Sequence, residues 1–195
     1  MFERHTLAGG ADGGSDYLLI CAQTRSAVLI DAGGTAEALL EALKARRARL
    51  RMVVLTHGHA DRWRAVGRLR EQLGIQIGMH LDDVDMLPLS PSFALAHQQH
   101  IAFGAAQLLV FHTPGHTPGS VCFFGDGLLF AGDTLALGAL GEATPPLGDP
   151  ALLARSVRQQ VLTLPDATRI FPAHGQPTTV GAERLRLDDT ASPGQ

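Results

Sequence analysis

The chain has 195 residues, of which 45% are hydrophobic and 18% charged, and its formal net charge is −3. That length suits one domain spanning 1–195, large enough to bury a core without disulfide staples. No apolar run approaches the roughly 20 residues of a membrane helix, and the start MFERHTLAGGADGG lacks the apolar stretch of a secretory leader. Mild acidity argues against a broad nucleic-acid surface, which needs clustered cations. Cys21 and Cys122 lie in apolar stretches, too far apart for a CxxC metal site, and read as buried free thiols suited to a reducing cytoplasm. The expectation is a cytoplasmic protein acting on a small molecule, away from membranes and nucleic acids.

In chain order, 16–23 and 26–31 read as a hairpin turning at Thr24-Arg25. Thr35 caps a helix to about Arg47, with Leu39, Leu40 and Leu43 on one face. A short apolar strand covers Met52–Leu55, a helix follows from about Asp61 to Leu73, and Gln76–His80 is a strand. The stretch 86–102, with Pro88 and Pro91, reads as irregular. Strands are expected near 107–112, 119–124 and 128–131, then a loop over 138–148. Asp149 caps a helix with Pro150 at its first position, running to about Leu164. A strand at Arg169–Pro172 and a short helical tail close the chain, with 188–195 expected to fray. Hairpins alternating with helices imply a layered α/β fold.

The histidines carry the chemistry. His57, His59 and Asp61 follow the strand MVVL, His116 follows the strand at 107–112, Asp133 follows LLFA, and His174 follows RIFP. If these strands share sheets, their C-terminal ends deliver all six side chains to one rim. Imidazole and carboxylate are the ligands of zinc and related divalent ions. One HxH is weak evidence, but four loops that each offer His or Asp beside Gly or Pro are hard to explain as solvated surface histidines.

HGHAD (57–61), TPGHTPGS (113–120), GDT (132–134) and AHG (173–175) resemble the successive motifs of metallo-β-lactamase-fold hydrolases, over about residues 16–186. TPGHTPGSVCFF and FPAHGQPTTVGAER are most similar to small hydroxyacylglutathione hydrolase-like (glyoxalase II-like) proteins. The resemblance implies a four-layer αββα sandwich with one or two zinc ions at one edge. His57, His59 and His116 would hold the first ion; Asp133 would bridge, and Asp61 and His174 would hold the second. The family motif usually reads HxHxDH, whereas this chain has Arg62 at the last position. A guanidinium cannot ligate a metal and repels a second dication if it points inward.

An open metal position lowers the pKa of bound water to roughly 7, which points to hydrolysis of an ester, thioester or amide; the resemblance favours a thioester or ester, with Asp61 and Asp133 as the catalytic carboxylates. No GxSxG element or Cys nucleophile signature competes. Against glyoxalase II itself, the chain ends soon after His174, without that enzyme's helical glutathione-recognition domain. Relatives also carry a GRTD-like stretch where this chain reads Gly141-Glu142-Ala143-Thr144-Pro145, so an acid stands where an arginine is usual. Two other readings compete. Persulfide dioxygenases resemble the same motifs but hold one iron through two His and one Asp, here matching His57, His116 and Asp133; a non-catalytic metal-binding relative is the other.

Arg62 could steer an anionic substrate group, but a surface ion pair with Asp61 or another nearby acid is at least an equal expectation. The cations from Lys44 to Arg51 suit a helix C-terminus. Asp82, Asp83 and Asp85 read as a helix N-terminus, His80, His97 and His100 as structural or exposed, and His112 as a strand-end histidine. Asp31 resembles a residue supporting the ligand loops. Leu87, Leu89, Phe93, Leu95 and Phe103, with 137–147, wall an apolar pocket or pack on the core.

Overall fold

The computed structural model describes residues 1–10 and 13–191, and side chains as far as 187. One six-stranded sheet runs in chain order: β1 (Phe2–Ala8), β2 (Ser15–Cys21), β3 (Ser26–Ile30), β4 (Arg49–Val54), β5 (Gln76–His80) and β6 (Phe93–Leu95). Its first three strands are antiparallel hairpins, and β3 to β6 are parallel. The parallel crossovers carry α1 (Ala36–Ala45) and α2 (Val66–Leu73). The second sheet contains β7 (His100–Phe103), β8 (Ala106–His112), β9 (Val121–Gly125), β10 (Leu128–Gly132), β13 (Arg169–Pro172) and β14 (Thr178–Thr179), ordered β14-β13-β10-β9-β8-β7. A ribbon of β11 (Leu135–Ala136) and β12 (Ala139–Leu140) precedes α3 (Pro150–Ser156), and α4 (Val180–Ala191) follows β14. Of the tail expected to fray from 188, residues 192–195 lie outside the described residues.

Side-chain alternation assigns the layers. On β2, Tyr17, Leu19 and Cys21 face the inter-sheet core, where they meet Phe103, Phe123, Phe130 and Phe171. The intervening Leu18 and Ile20 face Leu39 and Leu43 of α1 and Leu69 of α2. Strand β9 does the same in the other sheet: Val121 and Phe123 point between the sheets, and Cys122 points out toward Leu153 and Val157. Three apolar layers therefore separate helix, sheet, sheet and helix, which is the αββα sandwich. Strands buried on both faces need near-continuous apolar runs, as β2 and β3 show.

The hairpin at Thr24-Arg25, the Thr35 cap (its Oγ1 accepts from Ala38 N at 3.3 Å) and the Asp149 cap (accepting from Leu152 N at 3.0 Å) lie where the sequence places them. Several elements differ, among them β7, which begins inside the stretch expected to be irregular, and the short strands β11, β12 and β14. A strand at Phe2–Ala8 was not anticipated; it is an outer strand of mostly polar residues, held by pairing with β2. The helix expected from Asp61 begins only at Val66, because Ala60–Arg62 form a single 3-10 turn tied down by Ala32 N donating to Arg62 O at 2.7 Å. The irregular stretch 86–102 holds β6, whose Phe93 ring packs over Gly78, where an added Cβ would come within 2.5 Å of it. The helix after Asp149 keeps α geometry only to Ser156, then widens to a π turn over Val157–Val161.

Candidate metal centre

Strand direction builds the site. Strand β10 is antiparallel to β9 and parallel to β13, and β9 is antiparallel to β8. The C-terminal ends of β8, β10 and β13 therefore open on one rim. The end of β4 joins them, because Val121 N donates to Thr56 O at 2.8 Å across the two sheets. The loops beyond these ends carry His57, His59 and Asp61; His116; Asp133; and His174.

The structure brings the first three histidines together. His116 Nε2 lies 3.2 Å from His57 Nε2 and 3.0 Å from His59 Nδ1. Nitrogens each about 2.0–2.1 Å from a tetrahedral ion stand about 3.3 Å apart, so this spacing fits one divalent ion. Asp133 Oδ2 is 3.6 Å from His57 Nε2 and 3.9 Å from His116 Nε2, closing the group on a fourth side. Burial and the neighbouring His116 and His59 hold the His57 imidazole well below its ordinary pKa, and burial followed by His116 lowers that of His59. Both therefore stay neutral, the form that ligates metal.

The loops are fixed from behind. Asp31, fully buried with a left-handed backbone (φ 60°), accepts from Thr56 N and Thr56 Oγ1, both at 2.8 Å. Thr56 Oγ1 in turn lies 3.1 Å from His57 Nδ1, leaving Nε2 to face the other histidines. Burial raises the Asp31 pKa to about 7, against the opposing pull of Arg62. His116 Nδ1 is oriented by the Glu142 carbonyl at 2.5 Å. Asp83 was missed at the sequence level as one acid of a helix N-terminus. Its buried carboxylate accepts from Gly58 N (2.9 Å), Gly119 N (2.7 Å) and Thr117 Oγ1 (2.6 Å), tying the His57–His59 loop to the His116 loop. Nothing local in the sequence singles Asp83 out from Asp82 and Asp85.

The remaining expected ligands form a different arrangement. His174 Nδ1 is 2.8 Å from Asp133 Oδ1. Arg62, with no exposed surface, pairs with Asp61 through Nε at 2.7 Å and through Nη2, which also stands 3.4 Å from His174 Nε2. Burial opposes the charge on this guanidinium, but Asp31, Asp133 and Asp61 outweigh it and raise its pKa. The expected Asp61–Arg62 ion pair is present, buried rather than on the surface.

A cleft of about 570 Å³ opens over the histidines, lined by His59, His116, Asp133 and His174 and walled by Leu135, Glu142 and Leu147 among others. Arg62 does not line it. The apolar wall thus comes from the segment after Asp133, while Leu95 and Phe103 lie in the inter-sheet core and Leu87 and Leu89 pack on the first helix layer. A second group, His80, Asp82 and His112, also gathers among the described residues. Its imidazoles stack at 4.0 Å and 10°. Their in-plane lone pairs lie in near-parallel planes, so no single ion reaches both in this arrangement. The two thiols are buried and unlinked.

The sequence matches the profile of the metallo-beta-lactamase superfamily over residues 9–174. The chain belongs to that superfamily. Hydroxyacylglutathione hydrolase GloC of Haemophilus influenzae is 30% identical over 186 residues, covering 85% of this chain and 88% of its own. Among solved structures, the BLEG-1 B3 metallo-beta-lactamase superposes with a TM-score of 0.87 at 30% identity, covering 95% of this chain and 97% of its own. TTHA1623 in a di-iron-bound form gives 0.82 at 31%, covering 93% and 96%, and ETHE1 from Myxococcus xanthus gives 0.81 at 26%, covering 95% and 82%. This superfamily member has no helix among its described residues long and apolar enough to cross a membrane.

Proposed function

We propose that the chain is a metal-dependent hydrolase of a thioester or ester, with His57, His59 and His116 as the ligands of one divalent ion. The observation that carries this reading is the convergence of three imidazole nitrogens, 3.0 and 3.2 Å apart, beneath an open cleft. A divalent ion there, zinc or iron, supplies a Lewis acid and a water acidified to a pKa of roughly 7.

The chain's own residues do the rest. Asp133, with 16% of its side chain exposed, lines the cleft beside the three histidines and would orient an attacking water there. His174 orients that carboxylate through the 2.8 Å contact and holds a proton next to it. Asp61 is neutralised by Arg62 and acts on the site through that pair rather than as a free base. Leu135, Ala136 and Leu147 exclude water around the acyl group. The Glu142 carboxylate at the cleft mouth repels an anionic substrate tail, so a neutral or cationic thioester or ester suits this cleft better than a glutathione conjugate.

The test is turnover of a panel of neutral, cationic and glutathione thioesters by metal-stripped and zinc-reconstituted protein, beside His116→Ala. Hydrolysis that returns with zinc and is absent in the variant supports the reading. Metal bound at one equivalent with no turnover of any thioester or ester would sink it. One specific observation favours a second reading, a mononuclear iron oxygenase acting on a persulfide: Arg62 occupies the region where a second ion's ligands lie, and ETHE1 is a structural neighbour. His59 counts against it, since its Nδ1 stands within the ligand group instead of leaving two His and one Asp. Oxygen uptake with a glutathione persulfide separates the two.

A further inference from the structure

We infer that Arg62 is the second cation of this centre: its guanidinium stands where the second metal of binuclear relatives would need its ligands, and the chain binds one ion only. This rests on the reading that His57, His59 and His116 hold a metal. The residues left for a second ion are Asp61, Asp133 and His174, and the guanidinium already engages two of them. Nε and Nη2 donate to one Asp61 carboxylate oxygen, and Nη2 faces His174 Nε2 at 3.4 Å. The other His174 nitrogen points at Asp133. A dication in that space would meet a buried positive charge within contact distance, where low dielectric makes the repulsion large.

The chain is also shaped around this arginine. Gly14 lies against it: a Cβ there would fall 2.7 Å from Nη2 and 3.3 Å from His174 Nε2. The Arg62 carbonyl is held by Ala32 N, so the turn cannot carry the guanidinium away without breaking a buried backbone bond. The fixed charge sits among three acids, Asp61, Asp133 and the deeper Asp31. A dication would supply compensation of the same sign, with twice the charge, but reversibly. The guanidinium supplies it permanently and, being buried, offers no open position to a substrate or a water.

The experiment is metal stoichiometry by elemental mass spectrometry and native mass spectrometry on stripped protein incubated with excess zinc and then desalted. Wild type is expected to hold one zinc, and Arg62→His to hold two. Two zinc ions in wild type would overturn the proposal while leaving the three-histidine site intact. One zinc in a folded Arg62→His would overturn the claim that Arg62 is what excludes the second. Cobalt absorption titration of wild type, expected to break at one equivalent, keeps the proposal open to refutation if the variant does not fold. Zero metal in wild type would instead remove the three-histidine reading, and the proposal with it.

Discussion

Removing the Asp83 carboxylate should damage both stability and metal binding, although this residue touches no metal ligand side chain. In Asp83→Ala, the buried N–H groups of Gly58 and Gly119 lose their acceptor. Thr117 Oγ1 keeps its 2.7 Å contact with Ser120 Oγ, so two orphaned donors are counted rather than three. Each buried unsatisfied donor costs about 1–3 kcal/mol. A loss of about 2–6 kcal/mol is therefore expected, a large share of a domain's total of roughly 5–15 kcal/mol. The same loss unties the two histidine loops, and supporting residues of this kind typically change metal affinity by about 10–100-fold. Urea denaturation of the metal-free protein reads the first effect, and competition against a chelator of known affinity reads the second. A variant within about 0.5 kcal/mol of wild type, with unchanged zinc affinity, would refute the reasoning that Asp83 sets the spacing of the ligand loops.

Other perturbations have equally definite outcomes. Thr56→Val breaks the path from Asp31 to His57 and should weaken zinc binding by about 10-fold or more, read by the same chelator competition. Asp31 has a folded-state pKa of about 7 against an ordinary 3.8, so the folded chain binds more protons than the unfolded chain between those values. Stability of the metal-free protein from this group should fall as pH rises from about 4 to about 7, and Asp31→Asn should flatten that slope in pH-dependent denaturation. Phe130→Ala, in the packed aromatic layer with Tyr17 and Phe171, should cost about 3–5 kcal/mol with little change in zinc affinity. Glu142→Arg keeps the backbone carbonyl that orients His116 and should lower KM for an anionic glutathione thioester more than for a neutral one.

Most of the fold was legible because the apolar layers impose periodicity. A strand such as β2 or β10 is packed on both faces and must be a continuous apolar run, and α1 shows its Leu39 and Leu43 stripe. The strand at Phe2–Ala8 was not legible, since pairing with β2 rather than its own composition makes it a strand. The site's imidazoles were legible because chemistry restricts their type and glycines mark their loops. Asp83 and the buried role of Arg62 were not. A carboxylate that receives backbone N–H groups from residues 25 and 36 positions away leaves no local pattern. An arginine beside an aspartate looks the same in sequence whether it is exposed or sealed between a carboxylate and an imidazole.

The most direct test of a metal centre built by the three histidines is anomalous diffraction from zinc-reconstituted crystals at the zinc edge. One peak is expected, about 2.0–2.1 Å from His57 Nε2, His59 Nδ1 and His116 Nε2, with none between Asp61 and His174. A zinc-loaded crystal with no peak among those three nitrogens, or with its peak at His80 and His112 instead, would contradict it.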